Sequence, residues 1–249
     1  MKKDVVYSSE PNVRLFCIPF AGGNAYSYKD FKEHLADFEL VPLELPGRGR
    51  RFGEGLLTSI EKMADDLFAQ VCRELQGPYA FYGHSMGGRL SYLVARRVLA
   101  AGLPAPMHLF VSGCAAPCVI QNRRRYQLPR DEFIAMLHSM DCPPQVLQSD
   151  ELMEVFEPVL RADFEANDAF KYQRQAPFEI PITVMIGTEE ETSREEALKW
   201  QQMTAQEIVL AEFSGGHFFI FDHMSELGRI VSQGFNAGKH RSGSAPIPL

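Results

Sequence analysis

Two rhythms of apolar residues alternate along this chain. Short continuous apolar runs, bounded by glycine and proline, are followed by longer stretches whose apolar residues recur every three or four positions. The first pattern suits strands buried on both faces, the second helices laid against them. Val13-Arg14-Leu15-Phe16-Cys17-Ile18-Pro19 reads as a first strand ended by its proline, and Phe38 to Leu43 as a second. A helix is expected between them, over about Tyr28 to Ala36. Ser59 to Leu75 predicts a long helix with Ile60, Met63, Ala64, Leu67, Val71 and Leu75 near one face, stopped by Gly77-Pro78. Pro78 to Tyr82 is the next strand and Met86 to about Leu99 the next helix, which Gly102 ends; Met107 to Ser112 is a further strand. The loop Leu45-Pro46-Gly47-Arg48-Gly49-Arg50-Arg51 is too rich in glycine to be helical.

From Ala115 to about Phe178 the alternation lapses. Prolines stand at 117, 129, 143, 144, 158 and 177, around two amphipathic stretches at about Arg130 to Ser139 and Ser149 to Phe164. The sheet resumes with Ile180 to Ile186, a helix around Arg194 to Gln202, a last strand from Glu207 to Phe213 and a final helix from about Ser225 to Phe235. Residues 1–237 are expected to form one domain. The polar, Pro/Gly/Ser-rich 238–249 is expected to be a disordered tail.

Composition narrows the function classes. With 249 residues, 45% of them apolar, the chain can bury one sizeable core. A net charge of −7 argues against general nucleic-acid binding, and no apolar run approaches the eighteen residues of a membrane span. Met1-Lys2-Lys3-Asp4 has no apolar stretch behind it, so no signal peptide is expected, and a cytoplasmic location is. The five cysteines (17, 72, 114, 118 and 142) are scattered and complete no zinc pattern. They are expected to be buried reduced thiols, and neither metal nor cofactor is anticipated.

The chemistry centres on Gly83-His84-Ser85-Met86-Gly87, between a strand and a helix. This is G-x-S-x-G, the nucleophile elbow, in the context the motif requires. The turn throws Ser85 outward, glycines two positions either side relieve the crowding, and the Met86 amide is placed to stabilise an oxyanion. In an α/β-hydrolase a second amide comes from the loop after an early strand. Here that is Phe20-Ala21-Gly22-Gly23, with Phe20 or Ala21 as donor. A serine needs a base, and the histidines are 34, 84, 108, 138, 217, 223 and 240. His84 adjoins the serine, but the elbow should point its side chain elsewhere. His217, after the last strand and behind Gly215-Gly216, sits where this fold keeps its base. The acid comes from Glu189, Glu190 or Glu191; Glu190, three residues after Gly187, is favoured, with Asp222 an outside alternative. The fold class is therefore an α/β-hydrolase fold, a mostly parallel sheet flanked by helices. A helical cap, about 115–178, is inserted after the sixth strand.

With these residues in view, the chain resembles the type II thioesterases of polyketide and non-ribosomal peptide synthesis over nearly all of residues 13 to 235. The resemblance rests on Ile18-Pro19-Phe20-Ala21-Gly22-Gly23, Leu45 to Arg51, Gly83 to Gly88, Ser112-Gly113 with Ala116-Pro117, Leu160-Arg161-Ala162-Asp163-Phe164 and Gly215-Gly216-His217-Phe218-Phe219. It implies hydrolysis of stray or misloaded acyl groups from the phosphopantetheine arm of carrier domains. The family's usual aspartate in Gly-x-x-Asp is here Glu190, one methylene longer. A carboxylesterase or lipase-like enzyme would use the same triad with a different pocket, and a hydrolase-like binding scaffold would have lost turnover. Arg123-Arg124-Arg125, a local reversal of sign at the start of the cap, is a candidate docking edge for an acidic carrier domain.

Overall fold

A computed structural model describes residues 13–121, 123–142, 147 and 149–242. The polar segment 243–249 lies outside the described residues. Among the described residues, six strands form one sheet in the order β2-β1-β3-β4-β5-β6, every pair parallel. In chain order these are β1 (Val13–Ile18), β2 (Phe38–Pro42), helix α1 (Ile60–Glu74), β3 (Tyr79–His84), α2 (Met86–Ala100) and β4 (Leu109–Ser112). The cap helices α3 (Arg130–Ser139) and α4 (Asp150–Asp168) follow. Then come β5 (Ile182–Gly187), α5 (Arg194–Leu198), β6 (Val209–Phe213), α6 (Phe219–Asp222) and α7 (Met224–Ser242).

The pleat sorts side chains to two cores. From β1, Phe16 and Ile18 pack with Phe81, Val111 and Val184 under α1 and α2; Leu15 and Cys17 face Tyr82, Phe110, Leu227 and Val231 on the other side. This two-sided burial explains why the strands read as unbroken apolar runs. Helix α1 starts at Ser59, whose side chain accepts from the Lys62 amide, and its inward stripe is Ile60, Met63, Ala64, Leu67 and Val71. A third, separate core of Phe133, Leu137, Leu147, Met153, Leu160 and Phe164 holds the cap together.

Several expectations shift. The helix expected from Tyr28 is a 3-10 helix confined to Lys29–His34. Gly49–Arg51, read as non-helical, makes a single 3-10 turn. The stretch after β5 divides into α5 and a 3-10 turn at Lys199–Gln202. The final helix continues to Ser242, into the segment expected to be a tail. The cap leaves the sheet after the fourth described strand, not the sixth, because only four strand-length apolar runs precede it. Of the cysteines, Cys17 and Cys114 are buried, whereas Cys72 is exposed and Cys118 and Cys142 are intermediate; all five are free. Among the described residues no helix is long and apolar enough to cross a membrane.

The strand order reverses between β1 and β3, since the chain steps outward from β1 to β2 and then crosses back. Ligands of open parallel sheets bind beyond the carboxyl ends of the strands at such a switch point. The loop after β1 is the Phe20–Gly23 segment, and the turn after β3 is the elbow.

Candidate active site

The elbow is a single strained residue. Ser85 has φ 54° and ψ −122°, between the end of β3 and the start of α2. Such a conformation persists only where the surroundings dictate it. The Ser85 amide donates to the Ser112 carbonyl on β4 at 2.8 Å, and the Ser85 carbonyl accepts from Gly88 at 3.0 Å. A β-carbon at Gly83 would lie 2.1 Å from the Gly87 carbonyl oxygen, and one at Gly87 would lie 2.4 Å from the Ile18 carbonyl oxygen. The two glycines let the first turn of α2 sit directly on β3 and β1, and Ser85 is left at the surface of that contact.

His217, in the turn between β6 and α6, brings Nε2 to 2.9 Å from the Ser85 hydroxyl. Its Nδ1 lies 2.9 Å from Glu190 Oε2. The other Glu190 oxygen accepts the Gly187 amide at 2.9 Å, and the carboxylate side chain is fully buried. Of the three adjacent glutamates, therefore, one turns inward. Glu191 is exposed and pairs with Arg123, and Glu189 is exposed as well. The extra methylene of glutamate is absorbed by this anchoring on the Gly187 amide. His217 Nδ1 meets Glu190 rather than Asp222, which ends the short helix α6.

His84 points away from the nucleophile, as the elbow dictates, but not into bulk core. Its Nδ1 lies 3.0 Å from the Ser112 hydroxyl, which also meets the Tyr82 hydroxyl at 3.1 Å. Its ring centroid is 4.8 Å from that of His217. Complete burial, and then the neighbouring His217, hold the His84 imidazole well below the usual histidine range, so it stays neutral. The His84 ring therefore places no positive charge beside His217. Cys114, beside Ser85 in a small polar cavity, is not a competing nucleophile, because burial pushes its thiol up to about 11.

One cavity touches the elbow and a second lies beside the loop after β1. The small one, 40 Å³, touches Ser85, His217, Arg89, Arg123, Arg125 and Asn167. The larger, 250 Å³, is apolar and lies between the Phe20–Gly23 loop, Phe218, Phe221 and the cap residues Phe156 and Leu160. Met86 opens α2, so its amide is among those a helix leaves without an internal partner. Phe20 and Ala21 line the larger cavity.

The expected basic edge is divided. Arg125 turns inward onto the nearly buried Asp168 at 2.6 Å, Arg123 pairs with Glu191 at the mouth of the small cavity, and Arg124 is exposed. Two residues in the site carry signals that the sequence pattern alone did not turn into positions. Asp163 is a carboxylate on the buried side of α4, next to Leu160 and Phe164, and is wholly buried. Arg89 is a guanidinium in the buried first turns of α2; its Nη1 donates to the Asn167 carbonyl at 2.9 Å and to the Asn167 side chain at 2.7 Å. A charge interrupting an apolar stripe was the available signal for both.

The thioesterase domain family model matches residues 13–234. Gramicidin S biosynthesis protein GrsT of Aneurinibacillus migulanus is 34% identical over 224 residues, covering 88% of both chains. Thioesterase PikA5 of Streptomyces venezuelae is 31% identical over 224 residues, covering 88% of this chain and 80% of its own. Among solved structures, ClbQ from the colibactin NRPS/PKS pathway aligns with a TM-score of 0.86 at 28% identity, over 92% of this chain and 98% of its own. YbtT, a type II thioesterase from the yersiniabactin NRPS/PKS pathway, aligns with a TM-score of 0.82 at 28% identity, over 91% and 94%.

Proposed function

Because this chain belongs to the thioesterase domain family, we propose that it removes acyl groups from carrier-bound thioesters in polyketide or non-ribosomal peptide synthesis, with Ser85 as nucleophile, His217 as base and Glu190 as acid. The two solved structures named above come from NRPS/PKS pathways, and a carrier domain bearing a phosphopantetheine thioester is the partner such pathways imply. The observation that carries the reading is the hydrogen-bonded line from Ser85 through His217 to a buried Glu190, at the switch point and under the cap.

In this mechanism His217 Nε2 takes the Ser85 proton as Oγ attacks the thioester carbonyl carbon. Glu190 accepts from Nδ1–H, fixes the tautomer and balances the imidazolium. The carbonyl oxygen becomes negative and is met by the amides of Met86 and of Ala21 or Phe20. The tetrahedral species collapses, the C–S bond breaks, and His217 protonates the departing thiolate. Water, deprotonated by the same imidazole, then attacks the acyl-serine. The carboxylic acid leaves and the Ser85 hydroxyl is restored. The 250 Å³ apolar cavity beside the Phe20–Gly23 loop suits the acyl chain.

The test is a turnover panel in which the same acyl groups are presented on a carrier protein and as small free thioesters. Faster kcat/KM on the carrier, abolished by a serine-directed fluorophosphonate, is expected. Turnover of oxygen esters in preference to every thioester would contradict the proposal.

A further inference from the structure

The only direct polar tie between α4 and the loop after β1 runs, among the described residues, through one carboxylate. Asp163 Oδ2 accepts the Gly22 amide at 2.8 Å. The same carboxylate accepts from both terminal guanidinium nitrogens of Arg48, Nη1 to Oδ2 at 2.5 Å and Nη2 to Oδ1 at 2.8 Å. Arg48 belongs to the glycine-rich loop after β2, and the pair is sealed, with side-chain exposures of 5% and 0%. One side chain of the cap thus joins two loops of the sheet.

What it holds is a turn. The Gly23 amide donates to the Phe20 carbonyl at 2.8 Å, closing Phe20-Ala21-Gly22-Gly23. Gly22 stands third with φ +74°, the conformation a type II turn demands at that place. The Phe20 carbonyl and the Ala21 amide share one peptide plane, so the Gly23 bond aims the Ala21 N–H outward from the turn. The next plane, Ala21–Gly22, is the one that can flip between type I and type II turns. Asp163 holds it by the Gly22 N–H. Leu160, one turn earlier on α4, packs on the same glycine so closely that a β-carbon there would fall 2.7 Å from Cδ2.

We propose that Asp163, clamped by Arg48, is a positioning residue for thioester hydrolysis: from the cap it fixes the turn that presents the Ala21 amide to the oxyanion. The proposal rests on the functional reading above. It makes seating of the cap and assembly of the oxyanion hole one event, because the group that docks α4 is the group that sets the turn. Arg48 is needed because its two-pronged grip fixes the orientation of the carboxylate and supplies the counter-charge that a buried carboxylate requires. Asp163 touches no reacting atom, so its effect is on the transition state through the loop.

The variants Asp163→Ala, Asp163→Asn and Arg48→Lys would be compared in the full chain, each counted by fluorophosphonate titration of Ser85. Phe133→Leu, in the cap core that also holds Leu160, is the control that weakens the cap while leaving the Asp163 bond to the Gly22 amide in place. Two quantities are read: kcat and KM on an acyl-carrier, and Kd for a boronic acid that forms a tetrahedral adduct at Ser85. Expected is a loss on the order of 10²-fold in kcat per titrated site for Asp163→Ala, with KM little changed and boronate affinity falling in step. Asparagine and lysine should recover part of it, and Phe133→Leu should lower Tm alone. If the Asp163 variants keep kcat and boronate affinity per site and lose only Tm, the residue merely fastens the cap and the proposal is wrong. A wild-type chain that binds boronate through this pattern yet hydrolyses no thioester would overturn the functional reading instead.

Discussion

Glu190 is the residue at which this site departs from the expected aspartate, and its anchoring on the Gly187 amide makes it specific. Glu190→Gln is expected to lower kcat on the order of 10³-fold or more, since the imidazolium loses its counter-charge and the tautomer is no longer fixed. Glu190→Asp should retain much of the rate. Glu189→Gln and Glu191→Gln should change kcat by less than about threefold, because neither residue reaches His217 and Glu191 is tied to Arg123. Steady-state kinetics on one thioester decides among the four.

His84 gives a stability prediction. Its folded pKa lies below the unfolded value of about 6.5, so below that pH the unfolded chain binds a proton that the native state refuses. Its contribution is complete above about pH 6.5 and is lost as the pH falls, by about 1.4 kcal/mol per pH unit. Urea unfolding at pH 7.5 and 5.5 should show the wild type losing about that much more than His84→Gln. Equal losses would show that His84 protonates freely in the fold.

At the scale of elements, the position of Ser85 comes from the contact of α2 with β3 and β1. Gly87→Ala would drive a methyl into the Ile18 and Pro19 carbonyl oxygens, at 2.4 and 2.9 Å, and neither backbone can yield without moving the loop after β1. A kcat loss of about 10²-fold is expected, since displacements near 1 Å cost that much. Gly88→Ala meets Cys114 Cβ at 3.1 Å and the Gly83 oxygen at 3.3 Å, a tight but yielding fit, so its loss should be far smaller. Kinetics of the two variants, each titrated for folded sites, checks the order.

The elements were the most legible part of the sequence. Strands buried on both faces announce themselves as apolar runs, and the elbow combines a strand, a five-residue motif and a helix in one place. Glu190 could be favoured by its distance from Gly187, but only the folded loop shows which of three adjacent carboxylates is turned inward. The Arg48–Asp163 pair was illegible as a pair, because its members lie 115 residues apart and meet only when the cap is seated. The run of three arginines misled in part: the Asp168 carboxylate that draws Arg125 inward comes from the far end of α4. The short 3-10 turns escaped because the hydrogen bonds that close them leave no apolar period.

For the whole molecule, approach of a partner concerns the surface around the cap. With Arg125 committed to Asp168, the outer charges of the basic run are Arg124 and, beyond its pairing with Glu191, Arg123. Arg123→Glu with Arg124→Glu is expected to raise KM for a carrier-bound acyl group several-fold at low salt, with the effect shrinking as salt is added. Hydrolysis of a small free thioester should be unchanged. A parallel response of both substrates, or of neither, would remove these arginines from the docking surface.

On the proposed mechanism, thioester hydrolysis passes through an acyl group on Ser85. Rapid quenching of the wild-type protein with an acyl-carrier, followed by mass analysis of its peptides, tests it directly. An added mass equal to the acyl group is expected on the peptide containing Ser85. Ser85→Ala should show no such adduct, together with a fall in kcat of about 10³-fold or more. An acyl group found on any other residue, or near-normal turnover by Ser85→Ala, would contradict it.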